Sequence, residues 1–215
     1  MTAARKRLAA AGLAVAALGG LALYGSGAKL GNLAGAAPGP CADSDETVKR
    51  AAPLARGEVA ALDVSKAPRP APELHFKAPD GSSTDLAALK GKALLVNLWA
   101  TWCGPCKAEM PALDRLQKEL GGKDFQVVAI NVETRNLDKI PRWLEENWID
   151  HLAAYTDPEG KVLPAVVQQV GMAGLPTTLV IDAKGCEIGV MKGPAEWASE
   201  DGKSLIRAVL NAGAS

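Results

Sequence analysis

The sequence has few residues that bind metal ions and no excess of charge of either sign. Its 215 residues include only two histidines, His75 and His151, and four cysteines, so few side chains are available for a four-ligand metal site. Lysine and arginine together number 24, as do aspartate and glutamate. Because no long basic run follows residue 10 either, the composition indicates that nucleic acid is not the main partner. The length fits one globular domain with appendages.

A long uncharged stretch near the N-terminus, residues 8–28, directly follows an Arg-Lys-Arg triplet at residues 5–7. At about 1.5 Å rise per residue, a helix of this length crosses the roughly 30 Å hydrocarbon core of a bilayer. The triplet favours a cytoplasmic N-terminus, so we expect a single-pass anchor in the inner (cytoplasmic) membrane and a periplasmic domain. The alternative is a cleaved signal peptide ending near residues 34–36, although its apolar core is usually only about 7–15 residues long.

Stretches rich in proline or glycine divide the chain. A Gly/Ala/Pro tract at residues 25–40 predicts a flexible tether, and the Pro-rich residues 67–72 predict a second linker. Between them, residues 43–58 are predicted to form a short helix, which Pro53 bends or shortens. The predicted parts are an N-terminal anchor (1–30), a tether with a short helix (31–72) and a main domain (73–215).

The main domain alternates short apolar runs with amphipathic segments. Apolar runs bounded by turn residues indicate buried strands, and the apolar spacing within residues 106–120 indicates an amphipathic helix. The order of these elements predicts an α/β domain with a mixed central sheet and helices on both faces. The predicted strands are 73–76 and 83–85, which flank an Asp80-Gly81 hairpin turn, then 93–100, 125–131, 177–181 and 187–191, and the predicted helices are 106–120, 137–147, 161–170 and 204–212.

A Cys-x-x-Cys motif, Cys103-Gly104-Pro105-Cys106 preceded by Trp102, lies between a predicted buried strand and the helix that follows it. The first turn of a helix has unpaired amide groups and a positive dipole end, which favour a thiolate over a thiol. We therefore predict that Cys103 is the nucleophile and that Cys106, one turn inside, is the resolving thiol. A mixed disulfide on Cys103 would then be resolved by Cys106.

Two other interpretations of this motif compete with a redox pair. Half of a zinc site would need two further ligands, yet Cys41 and Cys186 lie far away in sequence and no histidine is close. A purely structural disulfide across so short a loop would constrain the unfolded chain little. Neither interpretation is favoured, and the sequence predicts no metal and no cofactor.

Glu109 and Asn97 are polar residues that the pattern places close to the two cysteines. Glu109 is predicted on the helix one turn beyond Cys106, where a buried carboxylate with a raised pKa would accept the Cys106 proton. The alternative is an exposed helix carboxylate, since glutamate is rarely buried. Asn97 lies inside the predicted strand 93–100 and is interpreted as a hydrogen-bonded core amide.

The remaining cysteines, Cys41 and Cys186, both lie in the exported part of the chain. Because disulfides form in oxidising compartments, a bridge between them is favoured over two free thiols. Such a bridge would close a loop of about 145 residues and contribute about 4–5 kcal/mol in the chain-entropy model. The alternative is a second redox relay, but neither cysteine has a predicted helix N-terminus to activate it.

Several stretches of this sequence resemble one family. Residues 96–106, 109–111, 171–182, 185–188 and 193–201 are similar to the TlpA-like thiol:disulfide interchange proteins, a membrane-anchored branch of the thioredoxin superfamily that assists cytochrome maturation. The stretch 193–201 is more specific to that branch than the Cys-x-x-Cys motif, which many families share. The resemblance extends over residues 40–212 and implies a thioredoxin fold.

The resemblance also implies roles for individual residues. Cys41 and Cys186 would form a structural disulfide, and Glu109 matches an acidic position of the family's active site. Pro176 would be a cis-proline that faces the dithiol. The residues expected to receive the partner's chain are Trp102, Gly104, Pro105, Leu175 and Pro176.

The family's activity is that of a reductant, and the resemblance implies the same here. The expected partners are periplasmic proteins whose cysteines bind copper or haem: a copper chaperone, cytochrome oxidase subunit II or apocytochrome c. Electrons would come from a membrane protein that relays them from cytoplasmic thioredoxin.

Two departures from the pattern leave part of this open. Asn97 stands where general thioredoxins carry a buried carboxylate, so their scheme of proton transfer is not carried over. Gly104 stands where the family has a bulkier residue, which leaves the redox potential open. An oxidase that makes disulfides, which runs the same thiol–disulfide exchange in the opposite direction, is therefore an alternative.

Two alternatives differ in chemistry. A peroxidase of the peroxiredoxin type would need an arginine beside its reactive cysteine, and the nearest to Cys103 is Arg115 on the following helix. A copper chaperone of this fold would use two cysteines with three intervening residues and a distant histidine. Here only two residues intervene, and His151 would have to fold over from another loop.

Overall fold

The computed structural model describes residues 39–171 and 173–210, so the anchor predicted at residues 1–30 lies outside the described residues. Among the helices that are described, none is long and apolar enough to cross a membrane. Short 3-10 helices occur at Ala42–Ser44, Ala52–Leu54, Gly57–Val59 and Ala87–Leu89. The strands are β1 (Asp63–Pro70), β2 (His75–Lys77), β3 (Ser83–Asp85), β4 (Ala93–Trp99), β5 (Phe125–Asn131), β6 (Tyr155–Thr156), β7 (Thr177–Ile181) and β8 (Cys186–Lys192), and the α-helices are α1 (Asp45–Ala51), α2 (Gly104–Leu120), α3 (Lys139–Glu146), α4 (Val162–Val170) and α5 (Glu200–Leu210).

The strands form one mixed sheet in the order β1-β8-β7-β4-β5-β6-β2-β3. Strand β4 lies at its centre, parallel to β5 and antiparallel to β7. All seven residues of β4 are buried, as expected for a continuous apolar strand covered on both faces. The predicted mixed α/β sheet is confirmed.

Alternate residues of β4 enter two separate hydrophobic clusters. Leu95 and Trp99 belong to the cluster that also contains apolar residues of α2, α3 and α5. Leu94, Val96 and Leu98 belong to the cluster that contains residues of α4 and β2. This alternation is the period of two of a β-strand, and it places helices on both faces of the sheet.

The Pro-rich segment predicted as a linker at residues 67–72 is largely a strand instead. Within β1, Arg69 pairs with Glu187, and Pro70 pairs with Cys186. Proline is tolerated here because β1 is an edge strand, so a residue without an N–H group does not interrupt an inner ladder. Residues 67–70 of the predicted second linker are therefore part of the sheet.

Other differences concern the ends of elements. The helix predicted at 43–58 ends at Ala51 because Pro53 follows in a 3-10 turn. Helix α2 begins two residues earlier than predicted, at Gly104, and α5 begins at Glu200 instead of residue 204. Strand β6 has only two residues and was not predicted, because two residues carry no periodic signal.

A disulfide between Cys41 and Cys186 ties the N-terminal segment to the start of β8. Both cysteines are buried. Beside the bridge, the Ser44 hydroxyl donates to Asp182 Oδ2 at 2.6 Å, and the Cys186 amide donates to Asp182 Oδ1 at 3.0 Å. The bridge closes a sequence separation of 145 residues, so it restricts the unfolded chain strongly.

We predict that replacing both cysteines, Cys41→Ala with Cys186→Ala, lowers the free energy of unfolding by about 4–5 kcal/mol, because the unfolded chain regains its loop entropy. Urea unfolding of the oxidised protein measures this loss. The matched control is Cys103→Ala with Cys106→Ala, which opens a short loop and should cost no more than about 2 kcal/mol by the same relation. Equal losses in the two double variants would contradict the prediction.

Candidate functional site

The cysteines of the Cys-x-x-Cys motif lie where β4 passes into α2. Cys103 is the N-cap of the helix, and its Sγ accepts a hydrogen bond from the Cys106 amide at 3.2 Å. The two sulfurs form a disulfide, with 5.3 Å between the Cα atoms. Cys103 is 6% exposed and Cys106 is 1% exposed. The helix N-terminus would stabilise a thiolate on Cys103, whereas the enclosed Cys106 needs a proton acceptor to become reactive.

An open apolar groove of about 510 Å³ borders the disulfide. Trp102 stands at this site with 70% of its surface exposed, which is unusual for so large an apolar side chain. The Leu175-Pro176 peptide bond is cis. Pro176 itself is buried and does not line the groove. The groove is lined by Trp102, Cys103, Gly104, Pro105, Val132, Leu163, Gly174 and Leu175.

Four residues predicted from the sequence line this surface: Trp102, Gly104, Pro105 and Leu175. Three residues that were not predicted complete it. Val132 follows β5, Leu163 lies in the first turn of α4, and Gly174 precedes the cis peptide bond. Each is an ordinary residue in its own segment, and no local pattern marks it. Of these three residues, only Gly174 lies within a stretch that resembles the family, residues 171–182.

Glu109 lies on α2 three residues after Cys106, which places the two side chains on one face of the helix. The carboxylate is only 3% exposed. Its Oε1 accepts hydrogen bonds from Trp197 Nε1 at 2.6 Å and from the Ala195 amide at 3.1 Å. Its Oε2 accepts one from Asn97 Nδ2 at 3.2 Å. The exposed alternative for Glu109 is therefore wrong, since β4 and the loop at residues 195–197 enclose the side chain against its own helix.

Burial raises the pKa of the Glu109 carboxyl from 4.5 to about 7. The hydrogen bonds from Trp197, Ala195 and Asn97 lower the pKa and so offset part of this effect, while the nearby Glu196 carboxylate raises it. A carboxyl group with a pKa near neutrality gives and takes a proton readily at physiological pH. Glu109 is therefore suited to exchange a proton with the buried Cys106.

Asn97 is a fully buried core amide, as the sequence indicated. Its Nδ2 also donates to Thr178 Oγ1 at 2.9 Å, so it links β4 to β7 as well as to Glu109. Within residues 39–171 and 173–210, its Oδ1 has no hydrogen-bond partner. The amide orientation thus serves the ionised carboxylate of Glu109.

Glu133 holds the turn that precedes Cys103, and no pattern in the sequence marks this residue. Its Oε2 accepts from the Thr101 amide at 2.8 Å, and its Oε1 accepts from the Thr101 hydroxyl at 3.0 Å. Asn131 Nδ2 also donates to Oε2, at 3.0 Å. Thr101 follows β4 and Glu133 follows β5, and the carboxyl ends of parallel strands meet at one edge of the sheet. These hydrogen bonds between Glu133 and Thr101, the Glu133 clamp, therefore depend on β4 and β5 lying side by side in the sheet.

His151 and Arg115 are engaged away from the cysteines. His151 Nδ1 lies 2.8 Å from Asp114 Oδ2, and the His151 amide donates to Asp114 Oδ1 at 2.6 Å. Asp114 is about 12 Å along the axis of α2 from Cys106, at 1.5 Å per residue. Arg115 is paired with Glu196 at 2.7 Å. The described residues hold no cluster of three or more His, Cys, Asp or Glu side chains arranged for a metal ion.

Known proteins resemble this chain in sequence and in fold. A family model described as Redoxin matches residues 66–206. The thioredoxin-like protein YneN of Bacillus subtilis is 33% identical over 121 residues, which cover 54% of this chain and 65% of that protein. The thiol:disulfide interchange protein DsbE of Xylella fastidiosa is 34% identical over 114 residues, which cover 53% of this chain and 52% of that protein. The chain thus spans about half to two thirds of the length of these relatives.

A solved structure also resembles this chain. A thiol:disulfide interchange protein of the thioredoxin family from Chlorobium tepidum has 31% sequence identity and a TM-score of 0.56, covering 68% of this chain and 99% of its own. The thioredoxin fold is therefore confirmed. The resemblance to TlpA-like thiol:disulfide interchange proteins is confirmed at the level of the family.

We predict that Glu109 makes the stability of the oxidised protein fall between pH 4.5 and 7. Because its pKa is higher in the folded state than in the unfolded state, the folded protein binds more protons in this window, and stability decreases as pH rises. The loss is about 3 kcal/mol, at 1.36 kcal/mol per pH unit. Urea unfolding at a series of pH values measures it, and Glu109→Gln should remove this component.

The matched control is Glu145→Gln, which removes an exposed carboxylate on α3 and should leave the fall in stability unchanged. A wild-type fall that persists in Glu109→Gln would show that another group is responsible.

Proposed function

The chain belongs to the Redoxin family, and on this premise we propose that it is a thiol:disulfide oxidoreductase that reduces disulfides in partner proteins. The observation that carries the proposal is the Cys103–Cys106 pair at the N-terminus of α2 with the buried Glu109 behind it. The relatives' names, thioredoxin-like protein and thiol:disulfide interchange protein, describe the same chemistry.

The first step uses the reduced form of the pair. The Cys103 thiolate, stabilised by the helix N-terminus, attacks one sulfur of the partner's disulfide. A bond forms between Cys103 Sγ and that sulfur while the partner's disulfide breaks. The partner's second sulfur leaves as a thiolate and takes a proton from solvent.

The second step regenerates the disulfide seen in the structure. Cys106 transfers its thiol proton to the Glu109 carboxylate, and the resulting thiolate attacks Cys103 Sγ in the mixed disulfide. The partner's remaining sulfur leaves as a thiolate, which is protonated in turn, with Glu109 able to return the proton. In total the partner gains two electrons and two protons, and the Cys103–Cys106 dithiol is oxidised to a disulfide.

The groove beside Cys103 supports recognition of an extended chain. Trp102, Val132 and Leu163 provide an open apolar surface, and Gly174 and Leu175 form its other border. The proposed partners are proteins whose cysteine pairs must be reduced before they bind copper or haem: a copper chaperone, oxidase subunit II or apocytochrome c. The reduced form of the enzyme would be restored by a membrane protein that supplies electrons.

The proposed location is the periplasmic side of the inner membrane, with residues 1–30 as the anchor. The basic residues 5–7 followed by the apolar stretch 8–28 support this location. The buried disulfide between Cys41 and Cys186 also supports it, because structural disulfides persist in oxidising compartments.

The geometry favours exchange over the two alternatives that differ in chemistry. A peroxidase would need a free arginine beside Cys103, whereas Arg115 is paired with Glu196. A copper chaperone would need His151 as a ligand beside the cysteines, whereas that ring is held by Asp114 further along α2. Both alternatives would therefore require these side chains to leave their carboxylate partners.

We predict that Cys103→Ser abolishes reduction of a disulfide-bonded partner, whereas Cys106→Ser accumulates the mixed disulfide on Cys103. The reason is that only Cys103 is positioned to attack, and only Cys106 can resolve the product. Non-reducing electrophoresis of the full chain with an oxidised Cys-x-x-x-Cys peptide measures both outcomes. The control, Lys107→Ala, changes an exposed residue of the same helix and should behave as wild type. Turnover by Cys103→Ser would overturn the mechanism.

We predict that the Cys103–Cys106 couple is reducing, with a potential more negative than the roughly −220 mV of a glutathione couple. Equilibration of the full chain against glutathione and dithiothreitol buffers, followed by thiol alkylation, measures it. A potential near about −120 mV, as for strong periplasmic oxidants, would instead assign the protein to disulfide formation and remove the role in copper-site or haem-site reduction.

A further inference from the structure

The two oxygens of the Glu109 carboxylate are held unequally. Oε1 accepts two N–H groups, from Trp197 at 2.6 Å and Ala195 at 3.1 Å. In the described part of the chain, Asn97 is the only partner of Oε2, at the longer distance of 3.2 Å. A proton placed on Oε1 would compete with two N–H groups, and a proton on Oε2 would compete with one. The neutral acid therefore carries its proton on Oε2.

Asn97 is able to serve both charge states of this carboxyl. With Glu109 ionised, Nδ2 donates to it, and the buried Oδ1 is left without a partner among residues 39–171 and 173–210. With Glu109 protonated, a half-turn of the amide would bring Oδ1 to the place of Nδ2. There it would accept the O–H groups of Glu109 and of Thr178. A carboxylate at position 97 would instead repel the ionised form of Glu109.

We propose that Trp197 is a positioning residue that anchors Glu109 through Oε1 and so directs the exchangeable proton to Oε2, beside Asn97. This inference rests on the proposed function, in which Glu109 exchanges that proton with Cys106. Trp197 acts through Glu109 and does not contact the reacting sulfurs in our scheme.

The surroundings of Trp197 keep its indole in place. The side chain is fully buried within the cluster that also contains Cys103 and Cys106. The start of helix α5 packs closely against the Trp197 backbone, since a Cβ at Gly202 would clash with the Trp197 carbonyl oxygen. Because the indole is fully buried and interiors are close-packed, its N–H group keeps its direction toward Glu109.

Few other charges face the Glu109 carboxyl. Cys106 is on its own helix, and Glu196 is on the loop that carries Trp197, paired with Arg115 at 2.7 Å. Strands β4 and β7 present the neutral groups of Asn97 and Thr178. Burial raises the pKa of Glu109, and the indole N–H of Trp197 is the next largest influence, which lowers the pKa.

The test is Trp197→Phe in the full chain, which removes the N–H group and keeps an aromatic ring. Carbon-13 NMR of the Glu109 side chain, in the reduced protein, should show its titration midpoint moving up by about one pH unit, a tenfold change in proton affinity. The reaction of the reduced protein with a chromogenic aromatic disulfide has two phases, attack by Cys103 and resolution by Cys106. The pH midpoint of the second phase should move up by the same amount.

The matched control is Trp143→Phe. That indole packs on Trp99 with 5.0 Å between ring centroids, and within the described residues it makes no hydrogen bond to Glu109. Its loss should leave both midpoints unchanged. Unchanged midpoints in Trp197→Phe, or equal shifts in the two variants, would overturn the proposal.

A wild-type measurement covers the case in which Trp197→Phe does not fold. The nitrogen-15 and proton resonances of the Trp197 indole should titrate with the Glu109 midpoint and lose this titration in Glu109→Gln. Indole resonances that do not change with pH would overturn the inference. Absence of the second phase in the wild type would instead refute the proposed function, whatever the NMR titration shows.

Discussion

The burial of β4 between β5 and β7 is the constraint on which the rest of the structure depends. A central strand with all seven residues buried must have its backbone groups paired on both sides and both faces covered, which requires the two hydrophobic clusters and the helices that complete them. The same pairing brings the carboxyl ends of β4 and β5 and the start of β7 to one edge of the sheet. The Cys-x-x-Cys motif, the Glu133 clamp and the cis peptide bond meet there as a consequence.

The site combines two cysteines with opposite environments. Cys103 caps a helix, where unpaired amide groups stabilise negative charge without any neighbouring base. Cys106 is enclosed one turn further on, where a thiolate is costly unless a nearby group takes its proton. The buried Glu109 carboxyl meets that need at an energetic cost, since its desolvation is only partly offset by three N–H donors. Stability and reactivity are therefore opposed in this one side chain.

The two disulfides differ in the same physical terms. The bridge between Cys41 and Cys186 closes a separation of 145 residues and is surrounded by the hydrogen bonds of Asp182, so it restricts the unfolded chain and joins the N-terminal segment to β8. The pair Cys103–Cys106 spans a separation of only 3 residues beside an open groove. The bridge between Cys41 and Cys186 is therefore suited to remain closed, and the pair Cys103–Cys106 is suited to open and close.

The sequence by itself determined the features that depend on near neighbours. Apolar runs and helical spacing predicted β4, β5, β7 and α2, and the position of two cysteines at a helix start predicted their division of roles. Edge strand β1 was misread as a linker, because its identity depends on pairing with β8 rather than on its prolines. Only the tertiary structure decided that Glu109 is buried and that its pKa is raised. Its burial comes from the packing of α2 against β4 and the loop at residues 195–197, and its nearest hydrogen-bond partner, Trp197, lies 88 residues away, a separation at which local pattern carries no information about contact.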